Sequence, residues 1–484
     1  MNWLSSPIPP LTRLVVATVL LCLQVIAFVT VAVGVAVAQN TESVSECDPD
    51  NVVYRGQLGR SFIQDGVSVS EVTRPVFIQC DTELIALTGF QESEFRFKFV
   101  GEVRIVELGD TLYADTVVYF TDTQVGEASG NVLITDGRVV LTAPDAIFYR
   151  DEKRTVFNNG VQFEDSTTVL TSRFGTYWSK EARAEFDSRV ELRQDSLYVS
   201  ADTLTYLRDL EETRARGHVY VERTDGELVT IFANTLFHSG LTDSSHFAGN
   251  VDMLQVSSDS TGIDSLFVKS QHLYLTQSDT TVNVVATDSV EVIQGNFSVI
   301  SDTLTYIRSK DGASVLTRSY GSPVAWLDLT QITSEDLRLT RVNGLLDSLR
   351  ADGNVFVAEY DSLLSRVQQL KGRTLVGLFE NDSLRTMMVS PNAEALYYME
   401  APDEGEQKAT RLSSDRIVFS FKNGELIKIG SYVDLDGEYY PANIVDQAKN
   451  LSGYRWEPER RPDNSKFREA WLRRVEQRNR HMQL

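Results

Sequence analysis

Two stretches one hundred residues apart carry nearly the same text: Ser200-Ala201-Asp202-Thr203-Leu204-Thr205-Tyr206-Leu207-Arg208 and Ile300-Ser301-Asp302-Thr303-Leu304-Thr305-Tyr306-Ile307-Arg308. A chain that repeats itself builds units that cannot bury an apolar face alone, so neighbouring units must stack. With Asp202 as the anchor, the pattern of small residue, slot, any residue and Leu/Ile/Val recurs with slots at Asp115, Asp145, Arg173, Asp202, Asn234, Gln271, Asp302, Glu335, Arg373 and Asp415. The slots lie 28 to 42 residues apart, which predicts about ten units of roughly 30 residues.

Between slots a second element recurs, Gly-x-Val, as Gly101-Glu102-Val103, Gly130-Asn131-Val132, Gly217-His218-Val219, Gly249-Asn250-Val251 and Gly353-Asn354-Val355. Glycine adopts positive φ without steric cost and Asn tolerates it, so each is read as the end of a turn that opens a strand. Apolar residues fill the positions three before, two after and four after the slots. Examples are Leu112, Val117 and Tyr119; Ile147 and Tyr149; Val199, Leu204 and Tyr206; Val268 and Leu273; Val299, Leu304 and Tyr306. The Gly-x-Val strands add Val132, Ile134, Val219 and Val221. One face of each strand is therefore dry and the other wet, and no comparable run has helical spacing. The body is expected to be β throughout, with these side chains lining one continuous apolar interior.

Composition removes other classes. With 46 Lys+Arg against 68 Asp+Glu the net charge is −22, which repels a phosphate backbone and excludes a nucleic-acid-binding body. At 42% hydrophobic residues the chain is not a disordered one. Arg13 precedes an uncharged apolar run from Leu14 to Ala38 that ends in Ala36-Val37-Ala38, the pattern of an export signal. It is either cleaved after Ala38 or, since the run is long enough to span a bilayer, retained as an N-terminal anchor. Beyond Cys22 in that run, Cys47 and Cys80 either pair in an oxidising compartment, a bond worth ~3 kcal/mol in the entropic account, or stand as two thiols.

No catalytic pattern stands out. His238 and His246 lie eight apart with no His-Glu-x-x-His frame, and no nucleophile elbow, phosphate loop or dinucleotide turn occurs. The recurring acids Asp202 and Asp302 sit in the same register slot, which suits a structural ladder better than a pair of hydrolytic carboxylates. No catalytic residue, metal site or cofactor is expected. Arg455 to Leu484 carries nine Lys/Arg and five acids, a basic tail on an acidic body. A helix is predicted there from about Asn464, with Phe467, Ala470, Trp471 and Val475 on one face. That face either docks on the body or meets an anionic membrane surface.

The Gly-Asn-Val strand, the Ala-Asp-x-Leu-x-Tyr strand and their alternation every ~30 residues resemble the OstA/LptA-like family of lipopolysaccharide-transport proteins. The resemblance implies a stacked β-jellyroll ("β-taco") solenoid whose V-shaped sheets cradle acyl chains and pass lipopolysaccharide across the periplasm. It covers Cys80 to Gly353 and extends more loosely to Leu451. No large C-terminal barrel of membrane strands follows. The expected organisation is a signal or anchor at 1–38, an entry segment at 39–80, an OstA-like solenoid at 81–325, a looser repeat region at 326–453 and the tail at 454–484. The implied function is a non-enzymatic carrier or bridge in the envelope of a Gram-negative-type bacterium. Its ligand would be lipopolysaccharide or another multi-acyl lipid, and its partners other OstA-like proteins joined through sheet edges. The alternative is a structural or adhesive solenoid with a closed, dry core.

Overall fold

The computed structural model describes residues 52–483 except 65–66, 80–81, 108, 166, 225–227, 260–261, 312, 344, 382, 401–405 and 423–424. The export segment, Cys47 and Cys80 lie outside the described residues. The chain divides into two compact units, one reaching to Glu222 and including Thr235–Leu241, the other comprising Arg223–Asn234 and Thr242–Leu484. The division falls ahead of the 325/326 boundary read from the repeats, and the tail belongs to the second unit. Among the described residues no helix is long and apolar enough to cross a membrane.

Both units are built from antiparallel strands joined by hairpins, as the alternation predicts. In the first unit Arg96–Glu107 pairs with Asp110–Phe120, that strand with Val125–Thr135, and that one with Val140–Tyr149. Each long strand is bent at its middle. The Gly-x pairs are not ends of turns but two-residue bulges inside strands: register shifts between Val100 and Val103, where Gly101 (φ 78°) and Glu102 (φ 47°) oppose the single residue Asp115. Ser188-Arg189 and Asp288-Ser289 make the same bulge without glycine. A two-against-one bulge kinks the strand and strengthens its twist, and here it turns a corner.

The slot residue is the other half of that corner. Asp115 Oδ2 accepts a hydrogen bond from Asn131 Nδ2 of the next bulge at 2.9 Å, and a Cβ on Gly130 would lie 2.4 Å from the same oxygen. Asp202 meets His218 Nδ1 at 2.9 Å, and Glu335 Oε1 accepts from Asn354 Nδ2 at 2.7 Å. Asp and Gly-Asn thus repeat together because each layer's acid packs on the next layer's glycine.

The corner splits each unit into two wings. In the first unit wing A holds 103–107, 110–114, 132–135 and 140–143, and wing B holds 96–100, 116–120, 125–129 and 145–149, with the layers up to 207 following suit. Inward residues from both wings form the core: Phe77 of wing A contacts Phe97 and Tyr119 of wing B at ring separations of 5.3 and 5.6 Å. In the second unit Val355, Leu370 and Ala395 from one wing meet Leu375, Val389 and Phe419 from the other.

The second unit has an additional core on the outer face of the wing that carries Val355, Leu370 and Ala395, where Phe356, Leu396 and Tyr398 are covered by Val445, Leu451, Tyr454 and Trp456 of the chain's end. Buried glutamines fasten that segment. Leu451 N donates to Gln369 Oε1 at 2.9 Å, and Gln331 gives Nε2 to Arg455 O at 3.1 Å and takes Glu457 N on Oε1 at 2.9 Å. The tail then forms a helix, Asn464–Gln483, whose Trp471 is buried on Phe232 with ring centroids 4.8 Å apart and whose Phe467 meets Phe267 at 5.4 Å. Arg474 pairs with Asp252. Of the two readings of the tail, its apolar face is occupied by the body of the second unit.

Candidate functional site: the apolar interior between the wings

Most of the expected lining residues are buried between the wings. Leu112, Val117, Tyr119, Val132, Ile134, Val199, Leu204, Val219, Val221, Val268, Leu273, Val299 and Tyr306 are each under a tenth exposed. Tyr206 and Leu304 are half-buried. The register differs at Asp145. Ser129 pairs with Asp145 and Val132 with Ala143, so Pro144 holds the corner. Ala146 is therefore buried while Ile147 is half-buried, and Phe148 stacks on Tyr119 at 6.1 Å. Tyr149 lies at the mouth, with the Arg154 guanidinium 4.1 Å from its ring centre.

The interior of the second unit contains a cavity of about 220 Å³ between the wings. Of the expected residues it gathers Val268, Leu273, Val299, Leu304 and Tyr306. Sequence reading stopped short of the others, among them Met253, Phe297, Trp326 and Phe379, and the cavity runs across the 325/326 boundary. Part of the missing wall was legible: the columns around the Glu335 slot hold Ile332, Leu337 and Leu339, and all three line the cavity. The polar lining is sparse, with Gln294, Thr317, Ser319 and Arg341. Burial pushes the Tyr306 phenol up to about 12, so it stays neutral at any physiological pH.

The first unit is tighter. Its interior is filled by the rings of Tyr54, Phe77, Phe97, Phe99 and Tyr119, which leaves spaces of about 90 and 30 Å³. Leu112, Ile134 and Tyr149 border the larger, Ile134 and Tyr206 the smaller. Polar bonds join the two lips of its mouth. Tyr119 Oη donates to Gln79 Oε1 at 2.9 Å, and Arg150 Nε donates to Thr82 Oγ1 at 2.9 Å and lies 3.4 Å from Glu107. Lys153 also pairs with Glu107, and Arg208 Nη1 meets Asp136 Oδ2 at 3.0 Å. Together with the backbone turns beside Asp136, Arg208 holds that carboxyl below its usual range, against the effect of burial.

The histidines do not gather as a sequence pair. His246 Nε2 lies 3.1 Å from His272 Nδ1, whereas His238 is buried elsewhere in the chain.

Strands that bend at bulged corners, pair antiparallel and enclose an apolar interior between two wings define a layered β-jellyroll. Residues 69–202, inside the first unit, match the model of the family described as OstA-like protein, and over that segment the chain is similar to that family. No curated protein matches the chain. Among solved structures the chain is similar to LptH of Pseudomonas aeruginosa, titled the LptA homologous periplasmic component of the conserved lipopolysaccharide transport device. That likeness has 14% identity and a TM-score of 0.17, covering 29% of this chain and 74% of that one.

Proposed function

We propose that this protein is a lipid carrier or bridge of the bacterial envelope, acting in lipopolysaccharide transport and outer-membrane assembly. It holds acyl chains between its wings while sugar and phosphate groups remain in water. The observation that carries the reading is the cavity of the second unit, with nearly continuous apolar walls built from residues 253–379. Each methylene transferred from water into such a space contributes ~0.8 kcal/mol. The cavity is smaller than the ~300–1,000 Å³ common for ligand sites, so a multi-acyl lipid enters by parting the wings further. The OstA-like segment and the exported N-terminus expected from Leu14–Ala38 agree with a periplasmic place of action. Sheet-edge pairing with like proteins is favoured at the last strands, Glu425–Tyr432 and Asp436–Tyr440, where Ile427, Ile429 and Tyr439 are exposed.

The test is mass spectrometry of organic extracts of the protein purified from its native envelope in mild detergent, beside the variant Leu304→Asp. Leu304 is half-buried on the cavity wall, so the variant's fold is checked first by circular dichroism. Stoichiometric multi-acyl lipid in the wild type and its loss in a folded variant is the expected result. A lipid-free wild type that also takes up no added lipopolysaccharide would refute the carrier and leave the closed structural solenoid.

A further inference from the structure

The mouth of the first unit is closed by charges of opposite sign drawn from opposite lips. Lip A consists of the wing A strand ends at Gln79, Thr82, Glu107 and Asp110 and the turn at 135–140; lip B of the wing B turns at 120–125, 149–154 and 207–211. In the ion pairs across the mouth, the carboxylates Glu107 and Asp136 come from lip A and the cations Arg150, Lys153 and Arg208 from lip B. These contacts join residues up to 72 positions apart. They are therefore not hairpin contacts between neighbours but closures between the two wings.

Lip A also carries Asp110, half-buried beside Asp136. Burial first, and the charge of Asp136 second, push its carboxyl above the usual range, with Arg208 opposing. Closing the mouth thus holds one carboxylate where its charge is disfavoured. The closure depends on the lip B cations balancing the acids of lip A. If another anion engages those cations, the acids of lip A regain water and lose the reason to stay. Guanidinium groups suit this exchange, since they bind a phosphate through two parallel N–H bonds as readily as a carboxylate.

We propose that these lips form an ionic latch. In this proposal Arg150, Lys153 and Arg208 are the site for a phosphate group of an acyl-bearing lipid, which displaces Glu107 and Asp136 and lets the wings part. The inference rests on the lipid-carrier reading above. The spaces of about 90 and 30 Å³ behind the closed lips are too small for acyl chains, so loading of the first unit requires such an opening. Anion binding and entry of the apolar chains would then be coupled through one set of side chains.

The experiment is hydrogen exchange of the full chain, read by mass spectrometry on peptides spanning 107–114, 132–140 and 203–211. Asp136→Arg and Arg208→Asp each place like charges across the mouth and should raise exchange about fivefold or more, as expected for loss of a partly buried pair. The reciprocal swap Asp136→Arg/Arg208→Asp should return exchange to within about twofold of wild type. Singles without effect, or a swap no better protected than the singles, would overturn the latch. The ligand arm adds cardiolipin in neutral detergent micelles, inorganic pyrophosphate, or empty micelles to the wild type. Opening by cardiolipin alone supports a lipid phosphate. Equal opening by pyrophosphate overturns the lipid source in favour of a free phosphate, and opening by neither overturns the ligand assignment. Failure of the carrier reading is separately visible, as absence of bound lipid in a protein whose charge swap still behaves as stated.

Discussion

Replacing Gly130 by Ala tests whether the corner is an interlock between layers or simply a bend. The added methyl would stand 2.4 Å from Asp115 Oδ2 and 2.9 Å from Asp115 Cβ, on a backbone with φ +75°. Two costs follow. An L-residue held in the left-handed region costs ~1 kcal/mol relative to glycine. Moving the Asp115 carboxylate away also gives up its 2.9 Å bond from Asn131 Nδ2, which at an exposed site is worth ~1 kcal/mol. The variant should therefore lose about 2 kcal/mol in the first unit. In an Asp115→Gly background the oxygen and the Cβ are both absent, so the same change should cost only the backbone part, ~1 kcal/mol. Because the chain has two units and global unfolding need not be two-state, the assay is native-state hydrogen exchange against urea for peptides covering 110–120 and 125–135. Equal costs in the two backgrounds would show that Asp115 does not interlock with Gly130 and would refute the corner argument.

Two further expectations follow from the second unit. Glu359 shares the inward face of Val355 and Val357, and burial, reinforced by Asp361, pushes its carboxyl up to about 7 from an ordinary 4.5. The folded state then favours the protonated acid, so stability is full below pH ~4.5, declines as pH rises toward 7 and stays lower above it, by ~3 kcal/mol in all. Glu359→Gln should stabilise the unit at pH 8 and have little effect at pH 4.5 in urea titrations; a gain independent of pH would count against the burial argument. Trp471→Ala removes the ring buried on Phe232 and should weaken helix docking by ~3 kcal/mol. The measurable outcome is fast exchange and proteolysis confined to 464–483, and a helix as protected as in the wild type would show that the fastening lies elsewhere.

The inward face of most strands was legible where the slot was placed correctly, because burial in a bent strand follows from counting outward from the corner. The columns three before and two after a slot are five apart, so strict alternation would set them on opposite faces. The structure reconciles them by the bulge, which reverses the parity at Asp115 and again at Asp202. At Asp145 the count is off by one because Pro144 takes the corner, and the expectation for Ile147 shifts to Ala146 with it. The tail's footprint had a signal that went unused. Strands such as Ile231-Phe232, Leu266-Phe267 and Val355-Phe356 are apolar on consecutive positions, which marks sheet buried on both faces.

The repeat, the recurrence of an acid slot and of Gly-x-Val between slots, and the dry face of each strand are properties of the sequence by itself. They rest on local backbone preference and on spacing within about one unit, which a linear text records. The closure of the first unit by Arg208 and Asp136, the location of the open space at 253–379 and the course of the tail over Gln331, 124 residues away, were decided only by the tertiary structure. Each depends on which distant side chains face one another and how completely their volumes fill the gap between the wings. Periodicity assigns a residue to a face, but whether that face meets a ring, a charge or empty space is set by the packing of the layers.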